Sequence, residues 1–179
     1  LLSIYRDTFV SINGKYNKIN AAYSWGGPEL AVSTINRNLD LNIEKYATVN
    51  FKILADIVDS LGGIEMEIDS DILDNLNNYI GDMNRINGGN SAKIPSGGTY
   101  TLDGNQAVAY SRIRYTAGGD LARAGRQREV LEKIFQKAKK SPIKLMSAMD
   151  DILPQIKTNM SRQELFGMLL SVFRYDIAD

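Results

Sequence analysis

The residues best suited to chemistry form one arginine-rich stretch. Of 21 lysines and arginines in the chain, five fall within 17 positions and all five are arginine, namely Arg112, Arg114, Arg123, Arg126 and Arg128. An arginine guanidinium is a planar fork of N–H donors that matches phosphate bidentately, whereas lysine supplies a compact point charge. Such a cluster indicates a site for a phosphate-like anion. The plainer alternative is a solvated face with ordinary ion pairs to Asp120 and Glu129.

The elements around this stretch determine where the guanidinium groups point. The apolar segment 106–111 predicts a β-strand. On an extended backbone Arg112 and Arg114, two positions apart, project from one face. After a Gly-Gly turn a helical pattern begins near Arg123, and Arg126, three positions later, shares its face. An anion between the strand end and the helix start would meet up to four arginines.

Composition narrows the chemistry further. The chain has 179 residues, of which 44% are hydrophobic and 23% charged, and these values are ordinary for a globular domain. It contains neither cysteine nor histidine, so thiol nucleophiles, histidine bases and the usual zinc ligand sets are excluded. A net charge of zero argues against a nucleic-acid partner. No apolar run approaches about 20 residues, so no spanning helix is predicted.

Alternation of the two periodicities predicts an α/β fold. We expect strands at 1–10, 43–51, 64–68 and 106–111, and helices at 28–39, 51–61, 121–140 and 143–153, with a last helix from 161. Residues 70–98, rich in asparagine and glycine, predict a long surface excursion with one short helix, and residues 97–104 predict a turn. The pattern favours three αβα layers, a central mixed sheet flanked by helices on both faces.

Two features allow both a structural and a functional interpretation. Arg6 and Asp7 lie in a β-rich run, which is consistent with a strand end, a polar site or an internal ion pair. Methionines 146, 149, 160 and 168 are typical core filler, but the same residues could line an oily groove for an alkyl chain.

Six motifs occur in the order found in the LytR-CpsA-Psr family. They are SIYRDTFV at 3–10, KINAAY at 18–23, GG at 26–27, VDSLGG at 58–63, LDGNQAVAYSRIR at 102–114 and DLARAGRQ at 120–127. Each motif is weak alone, but six at compatible spacing are specific. The chain therefore resembles this family, most strongly over residues 1–140, and the resemblance implies a single catalytic domain over residues 1–179.

The resemblance implies a phosphotransferase of the bacterial cell envelope. Such enzymes take a glycopolymer, for example wall teichoic acid or capsule, from a polyprenyl-pyrophosphate carrier and attach it to peptidoglycan or another wall acceptor. Family members hold the lipid in an apolar pocket, carry an N-terminal membrane helix and face the outside of the cell. Alternatives are a non-catalytic module that binds anionic lipid or glycopolymer and, less favoured, a nucleic-acid binder.

Matching of the motifs assigns roles to individual residues. The resemblance implies pyrophosphate ligands at Arg6, Arg112, Arg114, Arg123 and Gln127, and less directly at Lys18 and Arg126. It implies a catalytic group of Arg112, Arg114 and Asp120, in which Asp120 orients arginines or accepts the acceptor's proton.

The resemblance also implies Mg²⁺ as a cofactor. The family's magnesium-binding aspartates lie upstream of the Arg6–Asp7 motif, so the metal ligands are unknown here. We expect the N-terminal strands, the metal-binding segment and the membrane helix to be missing from the chain. Tyr5 stands where the family usually has proline.

Overall fold

The structure, a computed structural model, describes residues 2–114 and 119–171. Its strands are β1 (Phe9–Ile12), β2 (Lys15–Lys18), β3 (Ala47–Thr48), β4 (Ile64–Ile68), β5 (Gly98–Leu102) and β6 (Lys157–Thr158). Its helices are α1 (Asn20–Leu39), α2 (Phe51–Ser60), α3 (Leu73–Asn87), α4 (Gly104–Arg112), α5 (Gly119–Lys140), α6 (Pro142–Ile152) and α7 (Arg162–Ser171).

These elements form two compact units. The helical unit contains residues 49–156 and 168–171, and the hairpin unit contains residues 2–48 and 157–167. The prediction of one catalytic domain over residues 1–179 stays a prediction. No helix within the described ranges has both the length and the apolar character needed to cross a bilayer.

The predicted α/β class is confirmed, and the strands pair more simply than expected. The described strands form three antiparallel pairs, β1 with β2, β3 with β6 and β4 with β5, and no single mixed sheet joins them. In the β4–β5 pair Ile64 lies opposite Leu102 and Met66 opposite Tyr100. Alternation along β4 buries Ile64, Met66 and Ile68 and exposes the two glutamates between them, as predicted.

The helical unit is built around α4, where a strand was expected. The prediction of a strand at 106–111 is wrong, because every residue from Gly104 to Ser111 is buried in a helix. An apolar run buried on all sides carries no period that separates strand from helix. A capping box at its N-terminus favours the helix. The Asp103 side chain accepts a hydrogen bond from the Gln106 N–H at 2.9 Å, and the Gln106 side chain accepts one from the Asp103 N–H at 2.9 Å.

The region 70–98 is also more ordered than expected. It contains the 15-residue helix α3, whose Leu76, Ile80 and Met83 are buried against α4, so a surface excursion with one short helix is wrong. Asparagine side chains hold the returning chain to α3. The Asn77 amide donates to the Ile94 carbonyl at 2.9 Å and accepts from its N–H at 2.8 Å. The predicted turn at 97–104 is largely strand β5.

The hairpin unit begins with a tight two-residue turn. Asn13 and Gly14 have φ of 48° and 82°, as a type I′ hairpin requires. The strand predicted at 1–10 begins only at Phe9, and that predicted at 43–51 is reduced to β3, because Asn50 caps α2. Val10 and Ile12 are buried against α1.

Helix α1 changes direction at a Gly-Gly pair. Gly26 and Gly27 leave helical geometry, and Gly27 has φ of 68°. The helix resumes at Pro28, as predicted from the preference of proline for a first helical position. The predicted helices 51–61, 121–140 and 143–153 are confirmed as α2, α5 and α6, and the last helix as α7.

Candidate functional site

The N-terminus of α4 is fixed by contacts that leave no room for another residue. Gly104 donates its N–H to Asp59 Oδ1 at 2.7 Å, and a Cβ at Gly104 would lie 2.3 Å from the Ala55 carbonyl oxygen. Burial raises the pKa of Asp59. The Asn105 side chain donates to Asn84 Oδ1 at 3.1 Å and to the Gly88 carbonyl at 2.9 Å. The sequence DGNQ therefore fixes the helix that carries Arg112.

Arg112 ends α4 with its side chain held among aromatic rings. Its guanidinium carbon lies 4.6 Å from the Phe51 ring centroid and 5.5 Å from that of Tyr79. Its Nη1 lies 3.3 Å from Met83 Sδ. A cation also suits the C-terminal end of a helix dipole. These contacts hold the half-buried guanidinium against aromatic and apolar side chains.

The predicted shared strand face of Arg112 and Arg114 is wrong. Arg112 is helical, the backbone becomes extended at Ile113 with φ of −56° and ψ of 123°, and the Ile113 side chain is fully buried. Arg114 therefore leaves the core by a change of direction at the helix end. Residues 115–118, which include part of the predicted Gly-Gly turn, lie outside the described residues.

Asp120 brings together arginines from both sides of that gap. Its Oδ1 lies 3.2 Å from Arg114 Nε and 3.2 Å from Arg123 Nη2. The Arg123 side chain is only 15% exposed, whereas Asp120 is 50% exposed. Ion pairs with Asp120 were expected only under the plainer alternative of a solvated face, and the spacing of Asp120 and Arg123 on one helix accounts for their contact. One carboxylate thus orients two guanidinium groups, one of them largely withdrawn from water.

The next residues of α5 differ in their contacts. Arg126 Nη1 donates to the Ile113 carbonyl at 3.3 Å, which ties α5 to the end of α4. Gln127 and Arg128 are exposed. We call Arg112, Arg114, Asp120, Arg123 and Arg126 the arginine cluster.

Tyr110 ties α4 to the middle of α5. Its hydroxyl donates to Glu129 Oε2 at 2.7 Å, and the residue is 6% exposed. Burial, followed by the hydrogen bond to Glu129 and the charge of that residue, raises the pKa of Tyr110 above its usual range. The plainer alternative expected Glu129 to form an ion pair with the arginines, whereas in the structure it accepts a hydrogen bond from Tyr110.

The remaining predicted ligands form a second group, in the hairpin unit. Asp7 lies between two cations, with Arg6 Nε 3.7 Å from Oδ1 and Lys18 Nζ 2.9 Å from Oδ2. The ion pair of Arg6 with Asp7 is thus present, and it lies at the surface, since all three side chains are more than two-fifths exposed. The pair precedes β1, as the strand-end interpretation expects. That these residues share a ligand with the arginine cluster stays a prediction.

The described residues contain no group of three acidic side chains that could hold a metal ion. The only carboxylate of the arginine cluster, Asp120, is engaged by two arginines. These residues therefore do not themselves fit a magnesium site.

Sequence reasoning missed the residues that hold Arg112. Phe51 was expected only as an apolar position of α2, and Tyr79 and Met83 lie within the supposed excursion. They reach Arg112 from α2 and α3, far away in sequence. No short-range spacing signals such a contact.

Guanidinium groups held around one aspartate at the start of a helix can bind a phosphate-like anion. The sequence model of the LytR_cpsA_psr family matches residues 1–176. The chain belongs to this family.

Proteins similar to this chain include teichoic acid transferases. It is 34% identical over 174 residues to the polyisoprenyl-teichoic acid–peptidoglycan teichoic acid transferase TagT of Bacillus subtilis strain 168, covering 94% of this chain and 50% of TagT. It is likewise 34% identical over 163 residues to the corresponding transferase TagU of Enterococcus faecalis, covering 89% of this chain and 48% of TagU. The chain thus spans about half the length of these relatives.

A solved structure described as a LytR-CPS2A-psr family protein, YwtF (TagT), with bound octaprenyl pyrophosphate lipid is also similar. It has a TM-score of 0.68 and 29% identity, over 95% of this chain and 59% of that one.

Proposed function

We propose that this protein is a cell-envelope phosphotransferase that moves a glycopolymer from a polyprenyl-pyrophosphate carrier onto peptidoglycan or another wall acceptor. Family membership supports the proposal, as do relatives named as teichoic acid transferases. A similar solved structure with bound octaprenyl pyrophosphate supports the carrier in particular.

The observation that carries the proposal is the arrangement of Arg114 and Arg123 around one oxygen of Asp120. The ion pairs with Asp120 orient the guanidinium groups of Arg114 and Arg123 before a ligand binds, so less side-chain entropy is lost on binding. Arg112, packed on Phe51 and Tyr79, is held in a similar way. A diphosphate has enough oxygen atoms to accept hydrogen bonds from several oriented guanidinium groups at the same time.

In the proposed reaction, a hydroxyl oxygen of the acceptor attacks the phosphorus nearer the sugar. A new P–O bond forms, the bond from that phosphorus to the bridging oxygen breaks, and polyprenyl phosphate leaves with the bond's electron pair. The hydroxyl proton passes to a base, for which Asp120 is our candidate. The arginines neutralise charge on the equatorial and leaving oxygens, since phosphoryl transfer depends mainly on positioning and electrostatics.

Roles for Arg6, Lys18 and Gln127 as further pyrophosphate ligands remain part of the proposal. Mg²⁺ is proposed as a cofactor of the whole protein. Because the described residues do not form a site for it, no step is assigned to the metal. We also propose the outer face of the cell membrane as the location, with anchoring by an N-terminal helix and teichoic acid or capsule as the glycan.

The test is transfer of labelled glycan by the full-length protein carrying Arg112→Ala or Arg114→Ala. Losing one oriented donor is expected to cost about 2–4 kcal/mol of transition-state stabilisation, a fall in kcat/KM of about 30- to 10³-fold. Arg128→Ala, which changes an exposed arginine of α5 outside the arginine cluster, is the control and should transfer normally.

Unchanged transfer in both variants would contradict the assignment. Binding of the carrier without any turnover in the wild type would instead favour the non-catalytic alternative.

A further inference from the structure

A second basic region lies at the opposite end of α5. It contains Lys133, Lys137, Lys139, Lys140 and Lys144. We call these five lysines, together with Ile143, the lysine corner. No aspartate or glutamate occurs between Glu132 and Asp150. In a chain of zero net charge this is a strong local excess of positive charge.

The helices arrange these lysines at a bend between α5 and α6. Lys133, Lys137 and Lys140 are spaced by four and three positions, so they share one face of α5. Helix α5 ends at Lys140 and α6 begins at Pro142, and both Lys140 and Lys144 are exposed. The Lys139 ammonium lies 5.3 Å from the Phe135 ring centroid.

Ile143 lies at the bend with 82% of its surface exposed, the highest fraction among the large exposed hydrophobic residues described. An isolated exposed apolar side chain needs no explanation by itself. In the sequence it lies between Lys140 and Lys144, both of which are exposed. An apolar tip bordered by lysines is the composition of segments that lie in the interface of a membrane.

The helix dipole explains only part of this charge. Lysines in the last turn of α5 complement its negative end. Lys144 lies in the first turn of α6, which contains no acidic residue, and there a cation opposes the dipole. The Lys144 ammonium lies beside Gly62, so close that a Cβ there would be 2.9 Å away, and it can complement the C-terminal end of α2. No helix dipole accounts for the exposure of Ile143, and an external anionic surface does.

We propose that the lysine corner docks on the surface of an anionic phospholipid bilayer. The lysines contact lipid phosphates, and Ile143 enters the boundary between headgroups and acyl chains. Each lysine near an anionic membrane surface strengthens binding about five-fold, and the effect decays within a Debye length. This proposal does not rest on the transferase activity, because it concerns a different surface and ordinary phospholipid.

The experiment measures sedimentation of the purified chain with vesicles of phosphatidylglycerol and phosphatidylcholine, against vesicles of phosphatidylcholine alone. Binding to the first only, decreasing as salt is raised from 0.05 to 0.5 M, is the expected result. Ile143→Ser should weaken binding about ten-fold through loss of the inserted side chain. Lys140→Glu should weaken it at least about five-fold.

Two matched controls lie elsewhere in the helical unit. Ile86→Ser alters an isoleucine that is 60% exposed on α3, and Lys93→Glu makes the same change of charge at an exposed lysine. Both should bind vesicles like the wild type. Circular dichroism of each variant checks that it is folded, and Lys144→Gln provides a second, milder test of the corner.

Equal binding to both kinds of vesicle, or equal losses in the controls, would overturn the proposal. So would binding to soluble polyphosphate that is as tight as to vesicles and unaffected by Ile143→Ser, since that result indicates a polymer site. The vesicles contain no polyprenyl lipid, and Arg112→Ala should bind them normally. Failure here is thus distinguishable from failure of the transferase proposal.

Discussion

The two ends of α5 carry positive charge in two different forms. At its start Arg123 is 15% exposed and paired with Asp120, and Arg126 donates to the carbonyl of Ile113. At its end the charge is carried by lysines, and Lys140 is exposed. One helix therefore holds guanidinium groups in set orientations at one end and flexible ammonium groups at the other.

This difference between oriented arginines and flexible lysines indicates which ligands each end of α5 can bind. Guanidinium groups held by a carboxylate, a carbonyl and aromatic rings suit one ligand of defined shape, because their geometry is set before binding. Ammonium groups on flexible stems add their charges without demanding one geometry, which suits an extended anionic surface. Single substitutions should therefore have large effects at the first end and graded effects at the second.

The sharpest way to break this comparison is to remove one cation from each end. Arg123→Ala should lower kcat/KM for transfer about 10²- to 10³-fold, because a largely buried, oriented donor is lost. Lys137→Ala should leave transfer unchanged when the carrier is a short, water-soluble polyprenyl-pyrophosphate analogue. The measurement is transfer of labelled glycan by full-length protein. Similar losses in both variants would show that the two ends do not differ.

Removal of the shared carboxylate should have a smaller effect with a distinct signature. In Asp120→Asn, Arg114 and Arg123 lose their common charged partner and the candidate base is lost with it, so kcat should fall about 10²-fold. The KM for the carrier should not rise, because the variant leaves more positive charge to attract a diphosphate. Steady-state kinetics separates the two constants.

Asp120→Glu, which keeps the charge, is the companion variant and should recover part of kcat. A raised KM with unchanged kcat in Asp120→Asn would contradict the orienting role.

Patterns confined to a few neighbouring residues predicted their structures correctly. The alternation at 64–68 has only one interpretation, because period two places all three apolar residues on one side. The spacing of Ser161 and Glu164 fits a capping box, and the structure contains both of its hydrogen bonds, at 2.8 and 3.2 Å. The contact of Asp120 with Arg123 follows in the same way from helical spacing.

Features that depend on distant partners could not be predicted. Helix α4 is buried on every side, so its apolar residues show no period, although Asp103 and Gln106 have the spacing of a capping box. Asn77 acts by pairing with the backbone 17 positions away, which no local rule describes. The rings around Arg112 come from two other helices. The arginines of the site could therefore be predicted from the sequence, whereas the aromatic residues that orient Arg112 could not.

Those rings offer a finer test of orientation at the first end. Phe51→Leu keeps apolar volume but removes the ring 4.6 Å from the Arg112 guanidinium. Loss of a cation–π contact of about 1 kcal/mol should lower kcat/KM about five-fold. Tyr79→Phe, which keeps its ring, is the matched control and should transfer normally. Equal kcat/KM in Phe51→Leu and the wild type would show that the rings do not position Arg112.

The smallest effect is expected midway along α5, where Tyr110 contacts Glu129. Tyr110→Phe should lower the free energy of unfolding by about 0.5 to 1 kcal/mol at pH 8, through loss of one hydrogen bond. Because burial raises the pKa of the folded-state tyrosine, its contribution is fully present below the unfolded value of about 10 and declines at higher pH. Urea unfolding of both proteins from pH 8 to 11 should therefore show their difference shrinking above pH 10. A constant difference would mean that this hydroxyl does not link the two helices in the way described.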